Sequence, residues 1–174
     1  MYIKQAFNFK HDWWLYVAGL AIIVVAVILG QLPYTIILIA KAAEAGLNLQ
    51  KLVLSQTMGL IESNLNLFLM LLSFAAGFLG VFFVVKTLHK QTIRSLTTSR
   101  SKIDWKRFWF AFLFWGIISS GLVLLDHYMS PENYIFNFKL VPFLILAAIA
   151  IVLVPIQTSF EEYLFRGYLM QGIG

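Results

Sequence analysis

Three ionisable residues near the end of the chain, Glu161, Glu162 and Arg166, are the strongest candidates for chemistry in this sequence. They follow an uncharged apolar run from Leu140 to Phe160, and ionisable groups placed against such a run are energetically expensive and typical of functional sites. On a helix, Glu162 and Arg166 share one face, whereas Glu161 and Arg166 diverge by about 140°. We therefore expect Glu162 to pair with Arg166, which leaves Glu161 free to act as a general base on water.

The same residues also have a purely structural interpretation. Pro155 should kink or interrupt the apolar helix, and Ser159 followed by Glu162 fits the S-x-x-E capping box of a helix that restarts after the proline. Glu162 and Arg166 would then form an ordinary stabilising pair, worth about 0.2–0.5 kcal/mol in water. Capping and catalysis are compatible, because the same turn can hold a base in place.

The composition determines which elements must position these residues. Of the 174 residues, 60% are hydrophobic and 12% are charged, against roughly 45–50% and 25% in a soluble domain. Four windows lack Asp, Glu, Lys and Arg, namely 13–40, 63–85, 108–125 and 140–160. Each is close to the roughly 20 residues that a helix needs to cross a bilayer. The sequence therefore predicts an all-α, polytopic transmembrane helix bundle, and the continuous apolar runs exclude the alternating strands of a β-barrel.

The predicted crossings form a single membrane-embedded domain. We expect about four membrane-spanning helices, at residues 13–33, 64–85, 107–126 and 140–157, and a short motif helix over 159–174 that starts at the acidic pair. The first crossing should end near Gln31 and Pro33, because proline lacks the N–H that continues a helix. Small residues spaced four apart, such as those around Gly77 and Gly116, predict close helix packing.

The basic residues are distributed unevenly, and this distribution predicts the orientation. Between Lys86 and Arg107 lie seven basic residues and one acidic residue, while the rest of the chain is close to neutral. By the positive-inside rule this stretch and the N-terminus lie in the cytoplasm, and residues 41–62 and 126–139 face outward. We expect a multi-pass integral protein of a bacterial cell membrane. Because topology accounts for the basic stretch, the expected partner is the lipid bilayer and not nucleic acid.

The remaining residue types limit other site chemistries. The chain has no cysteine, which excludes a thiolate nucleophile, a thiolate zinc site and a disulfide framework. Its histidines, His11, His89 and His127, precede the motif and lack the spacing of paired metal ligands, so we assign no metal ligand. His89 is expected to belong to the cytoplasmic basic loop, and His127 to the outer side.

The run EEYLFRG from Glu161 to Gly167 resembles the EExxxR first motif of the CPBP family of intramembrane proteases. That family includes the CAAX prenyl proteases and bacterial abortive-infection and bacteriocin-processing proteins. The resemblance implies an endopeptidase in which Glu161 activates the water that attacks a peptide bond near the cytoplasmic face, with Glu162 as a supporting acid and Arg166 as an orienting partner. The implied substrate is a membrane-associated or prenylated peptide or protein. The family is often called metalloprotease, so zinc is the cofactor that the resemblance would imply.

The later motifs of the family, FxxxH and HxxxN or HxxxD, do not follow Arg166 in this sequence. We therefore expect the chain to be the N-terminal half of a longer protease and to be inactive by itself. The alternative is a non-enzymatic membrane protein, either part of a transporter or an immunity-type protein that binds a partner. Intramembrane charges and a proline-broken helix are equally expected of a transporter site.

Overall fold

The computed structural model describes residues 7–47, 59–98 and 104–173, which form helices and turns without any strand. In chain order these are α1 (Trp13–Glu44), α2 (Ser63–Thr87), α3 (Ile93–Thr97), α4 (Trp105–Met129), a 3₁₀ turn (Pro131–Asn133), α5 (Leu140–Glu162), a π-helical segment (Tyr163–Leu169) and α6 (Met170–Ile173). Helices α1, α2 and α4 and the continuous helix Leu140–Ile173 are long and apolar enough to cross a membrane. The predicted fold class is confirmed.

Some of the sequence predictions fall outside these ranges. The predicted outward segment includes residues 48–58, and the predicted cytoplasmic basic stretch includes residues 99–103, neither of which is described. The same holds for the N-terminal residues 1–6 and for Gly174 at the end of the predicted motif helix.

The chain divides into two compact units. The first comprises Met1–Ser99 and Val141–Gly174, and the second comprises Arg100–Leu140. In the second unit, α4 has no buried residue among those described, and its surface is aromatic and aliphatic along its length. A helix that is apolar on every side suits a lipid environment.

Helices α1 and α2 of the first unit pack closely because small residues meet between them. A Cβ atom added at Gly30 of α1 would lie 2.8 Å from the Cα atom of Ser73 and 2.6 Å from the Cβ atom of Ala76, both in α2. Helices associate in this way in lipid, where no hydrophobic driving force brings them together.

The packing role predicted for Gly77 is also found. A Cβ atom at Gly77 of α2 would lie 2.7 Å from the ring of Phe160 and 2.8 Å from a methyl group of Val27. Gly77 therefore lets α1, α2 and α5 approach one another. At Gly116 of α4, by contrast, an added Cβ atom would meet no described atom within 4 Å.

Neither proline interrupts its helix. Pro33 lies inside α1, which continues to Glu44, so the predicted end of the first helix near Pro33 is wrong. Pro155 lies inside α5, which ends only at Glu162. In an apolar environment a broken helix would leave several N–H and C=O groups unpaired, whereas a proline within a continuous helix removes a single hydrogen bond.

Helix α2 ends in an unusual backbone conformation. Lys90 has φ of 56°, the only positive value at a described residue other than glycine. The N–H of Gln91 donates to the carbonyl of Val85 at 3.0 Å. This hydrogen bond spans Lys90 and closes the end of the helix. This left-handed position is usually filled by glycine or asparagine, and an ordinary side chain there costs roughly 1–2 kcal/mol.

The contact at Gly30 gives a testable prediction. Replacing Gly30 by Ala should destabilise the protein by about 1–3 kcal/mol, because the backbone of α2 opposes the new methyl group and overpacked sites cost that much. The measurement is thermal unfolding in detergent. Gly116→Ala is the matched control and should leave the midpoint unchanged; an equal loss in both variants would contradict the close packing of α1 on α2.

Candidate functional site

The acidic pair and the arginine lie at the junction of α5 and the π-helical segment. Arg166 Nη1 lies 3.3 Å from Glu162 Oε2, across one helical turn. The predicted pairing of Glu162 with Arg166 is therefore confirmed. Both side chains are well exposed, at 57% for Glu162 and 76% for Arg166. Water can therefore reach the pair, and an ion pair of this kind contributes only about 0–1 kcal/mol to stability.

Glu161 has different neighbours from Glu162. Its Oε1 atom accepts a long hydrogen bond from Gln157 Nε2 at 3.5 Å, one turn earlier in α5. Within the described ranges, Glu161 forms no ion pair. The predicted separation of the two carboxylates is thus confirmed, since one is held by a cation and the other is held only by a neutral amide.

Arg166 lies in a π-helical segment and not in an α-helix. Such segments are rare and occur frequently at functional sites. No sequence pattern indicates one here, because a π-helical turn changes the helical spacing only locally. Within the segment, Gly167 and Tyr168 are buried while Arg166 stays exposed. The segment thus anchors one side of the motif in the first unit and presents the other side to the surroundings.

A cleft of about 380 Å³ lies beside the motif. Its lining consists of Leu96, Thr97, Glu162, Tyr163, Arg166, Gly167 and Met170. The Tyr163 hydroxyl lies 2.7 Å from Thr97 Oγ1, so the cleft combines a hydroxyl pair with the ion pair. Two of the three predicted site residues meet in this cleft, while Glu161 does not line it.

A buried polar cluster attaches the motif to the rest of the first unit. The Tyr168 hydroxyl lies 3.1 Å from Nε2 of His89, and 3.2 and 3.3 Å from the carbonyl oxygens of Leu15 and Tyr16 in α1. Gly19 leaves the space for this hydroxyl, because a Cβ atom there would overlap it. Residues distant in sequence therefore meet at one side chain, directly after Arg166.

His89 lies in the connection between α2 and α3, within the predicted basic stretch, but it is buried in this cluster, which the sequence did not predict. It is 1% exposed, and its Nδ1 atom lies 2.8 Å from the carbonyl oxygen of Lys10. A carbonyl can only accept, so Nδ1 carries the proton of the neutral ring, and Nε2 is an acceptor that shares the single proton of the Tyr168 hydroxyl with the carbonyl oxygens of Leu15 and Tyr16. Burial is the largest influence and lowers the pKa of His89; the hydrogen bond to Lys10 raises it by less, and the nearby His11 lowers it slightly further.

Two glutamines extend the cluster. Gln91 Nε2 donates to Gln171 Oε1 at 3.0 Å, and His11 Nε2 lies 3.0 Å from the backbone oxygen of Gln171. Neither glutamine is predicted as a site residue from the sequence. The signal in the sequence is the spacing of Tyr168 and Gln171, which are three apart and therefore share one face of the helix.

The described residues do not form a metal site. No group of three His, Cys, Asp or Glu side chains within the described ranges could hold an ion. Zinc prefers three or four such ligands, so the residues present do not fit the metal that the family resemblance implies. We therefore assign no reaction step to a metal on this part of the chain.

Comparison with known proteins adds one relative. No family model matches the chain, and no solved structure matches it. The chain is 38% identical over 96 residues to the uncharacterized protein YyaK of Bacillus subtilis (strain 168), and these residues are 55% of the chain and 32% of that protein. The chain thus spans about a third of the length of this relative.

The burial of His89 predicts a pH dependence of stability. The pKa of His89 lies below its ordinary value of 6.5 in the folded protein, so the unfolded chain binds more protons as the pH falls through that value. The stability that the neutral ring contributes should be present above about pH 6.5 and be lost progressively below it. The measurement is the unfolding midpoint in detergent between pH 7.5 and 5.

His89→Asn and His127→Asn are the matched variants for this test. His127 is exposed and stacks edge-on against Tyr134, so its replacement should leave the acid sensitivity as in the wild type. The His89 variant starts from a lower midpoint, because it loses the contacts to Lys10 and Tyr168, but it should vary less between pH 7 and 5. An unchanged pH dependence in His89→Asn would refute this assignment.

Proposed function

We propose that this chain carries the first catalytic motif of an intramembrane endopeptidase of the CPBP type. The observation that carries the proposal is the division of the acidic pair, in which Arg166 neutralises Glu162 and Glu161 is left without a cation. A carboxylate that is exposed and that has no cation partner among the described residues suits a general base on water. A second carboxylate that is fixed by an arginine suits an orienting role.

In the proposed reaction Glu161 removes a proton from water while the water oxygen bonds to the carbonyl carbon of a peptide bond. The carbon–nitrogen bond then breaks, and the departing amine takes the proton from Glu161. Arg166 keeps Glu162 in place next to the base. By the resemblance, a histidine and oxyanion donors from later helices complete the site, and such donors usually contribute several kcal/mol of transition-state stabilisation.

The proposed site requires a definite orientation in the membrane. The positive-inside rule puts the end of α2 and the acidic end of α5 in the cytoplasm of a bacterial cell, with the turn at Pro131–Asn133 outside. The substrate would then be a membrane-associated or prenylated peptide or protein that presents its scissile bond at the cytoplasmic face.

Single cysteines test this orientation cleanly, because the chain has no cysteine of its own. In intact cells a membrane-impermeant maleimide should label Glu132→Cys and not Ile93→Cys, since the two exposed positions lie on opposite sides of the proposed topology. Both should be labelled after the membrane is made permeable. Labelling of Ile93→Cys in intact cells would reverse the orientation and remove the cytoplasmic site.

A binding function is the second candidate, and the cleft favours it. Glu162 and Arg166 line the cleft while Glu161 does not, as expected of a site that recognises a partner through an ion pair. An immunity-type protein or part of a transporter would need Glu162 and Arg166 for recognition and would not need Glu161.

Glu161→Gln separates the two candidates. In the protein expressed from its complete gene, this change should lower proteolysis at least about 100-fold, because it removes a general base while keeping size and hydrogen bonding. The measurement is the set of newly formed peptide termini in membranes of cells that express the wild type or the variant, since this readout requires no known substrate.

The matched control is Glu44→Gln at the C-terminal end of α1, where Glu44 pairs with Lys41 in an exposed position. It should leave proteolysis unchanged. Full proteolysis in the Glu161 variant would remove this residue from the mechanism. Absence of any wild-type proteolysis, together with a phenotype that is lost in Glu162→Gln and kept in Glu161→Gln, would favour the binding function.

A further inference from the structure

A second pocket lies at the end of α2. Its lining differs from that of the cleft beside the motif. Its volume is about 680 Å³, and its lining consists of Phe82, Phe83, Lys86, Thr87, Lys90 and Ile93. One part of the wall is apolar and the other part carries two ammonium groups. None of the lining residues is acidic, and the pocket plays no part in the proposed reaction.

The two lysines have no counter-charge among the described residues. Neither Lys86 nor Lys90 forms an ion pair with another residue in the described ranges. Like charges that line one pocket repel each other, although water screens this repulsion because both lysines are exposed. An anion that enters the pocket would remove this repulsion.

The backbone at Lys90 is a second and independent observation. Its left-handed conformation is one that glycine adopts freely and lysine does not. The hydrogen bond from the Gln91 N–H to the Val85 carbonyl enforces this conformation at the end of α2 and fixes the direction in which the Lys90 side chain leaves the backbone. Here the strained residue is one of the two cations that line the pocket.

The hydroxyl of Thr87 narrows the chemistry of the ligand. Thr87 Oγ1 donates its proton to the carbonyl of Phe83 at 2.6 Å, so it has none to offer a ligand. The polar contacts available to a ligand are consequently the two ammonium groups, which bind phosphate as point charges. The exposed ring of Phe83 and the exposed aliphatic side chain of Ile93, which line the same pocket, suit the glycerol and upper acyl carbons of a lipid.

We propose that this pocket binds an anionic membrane phospholipid, with its phosphate between Lys86 and Lys90 and its glycerol and upper acyl chain against Phe82, Phe83 and Ile93. The location supports the proposal, because the pocket lies at the end of a membrane-length helix, where headgroups meet the protein. Basic pockets beside membrane helices bind anionic headgroups by the same physics. The proposal does not depend on proteolytic activity.

Thermal unfolding in nanodiscs tests the proposal. The full chain is placed in phosphatidylcholine alone or in phosphatidylcholine with increasing phosphatidylglycerol, and the unfolding midpoint is followed. Phosphatidylglycerol should raise the wild-type midpoint in a saturable manner. Loss of one charged contact should weaken the apparent affinity for the lipid about tenfold in Lys86→Gln and in Lys90→Gly.

Lys90→Gly has a second signature that a general charge effect does not produce. In phosphatidylcholine alone its midpoint should rise by about 2–4 °C, because glycine relieves the left-handed conformation. The same variant should lose most of the stabilisation by phosphatidylglycerol. Lys106→Gln removes one charge from an exposed position predicted for the same membrane face and should keep the wild-type response.

Three results would overturn the proposal. One is an equal response to phosphatidylglycerol in the wild type, Lys86→Gln and Lys90→Gly. The second is an equal loss of response in Lys106→Gln, which would assign the effect to the net charge of that face. The third is full stabilisation by free glycerol 3-phosphate in phosphatidylcholine nanodiscs, which would assign the pocket to a soluble phosphate compound and not to a lipid.

Discussion

The hydroxyl of Tyr168 is the contact on which the candidate site depends. It joins the ring of His89, the backbone of α1 at Leu15 and Tyr16, and the helical segment that carries Arg166. A buried polar group without partners costs about 1–3 kcal/mol, so a slipped register of this segment would leave several groups unpaired at once. Hydrogen bonds on the buried side of the segment therefore fix the orientation of the motif, although its charged groups are exposed.

The need to pair buried polar groups also explains why these helices continue through their prolines. In water a freed carbonyl binds solvent, and a helix can end at proline at little cost. In lipid a helix end costs more free energy, because each end exposes several unpaired N–H or C=O groups. Thr158 Oγ1 lies 3.1 Å from the carbonyl oxygens of Val154 and Pro155, so its hydroxyl is hydrogen-bonded within α5 itself. Helix continuity then carries the acidic pair beyond the apolar run as a rigid extension.

The predictable and unpredictable features differ in the range of the interactions behind them. The four membrane-length helices and the pairing of Glu162 with Arg166 follow from composition and from spacing within one helix, which the sequence displays directly. The burial of His89 depends on contacts with Lys10 and Tyr168, each 79 residues away in the chain. A count of the charges around Lys86 gives no information about such distant contacts. The π-helical segment belongs to the same category, because tertiary contacts of its buried residues accompany the local change of spacing.

The exposed ion pair contributes little to stability, and its effect on geometry is the more important one. A bond of 3.3 Å between two largely exposed side chains is weak in energy, yet it restricts where the Glu162 carboxylate can point. If Glu162 were unpaired, the two adjacent carboxylates would both be attracted to Arg166 and would repel each other, and neither would have a defined role. With Glu162 engaged, the charge of Glu161 is the one available to an incoming group. The arginine thus differentiates two chemically identical neighbours, as the proposed roles of a general base and its support would require.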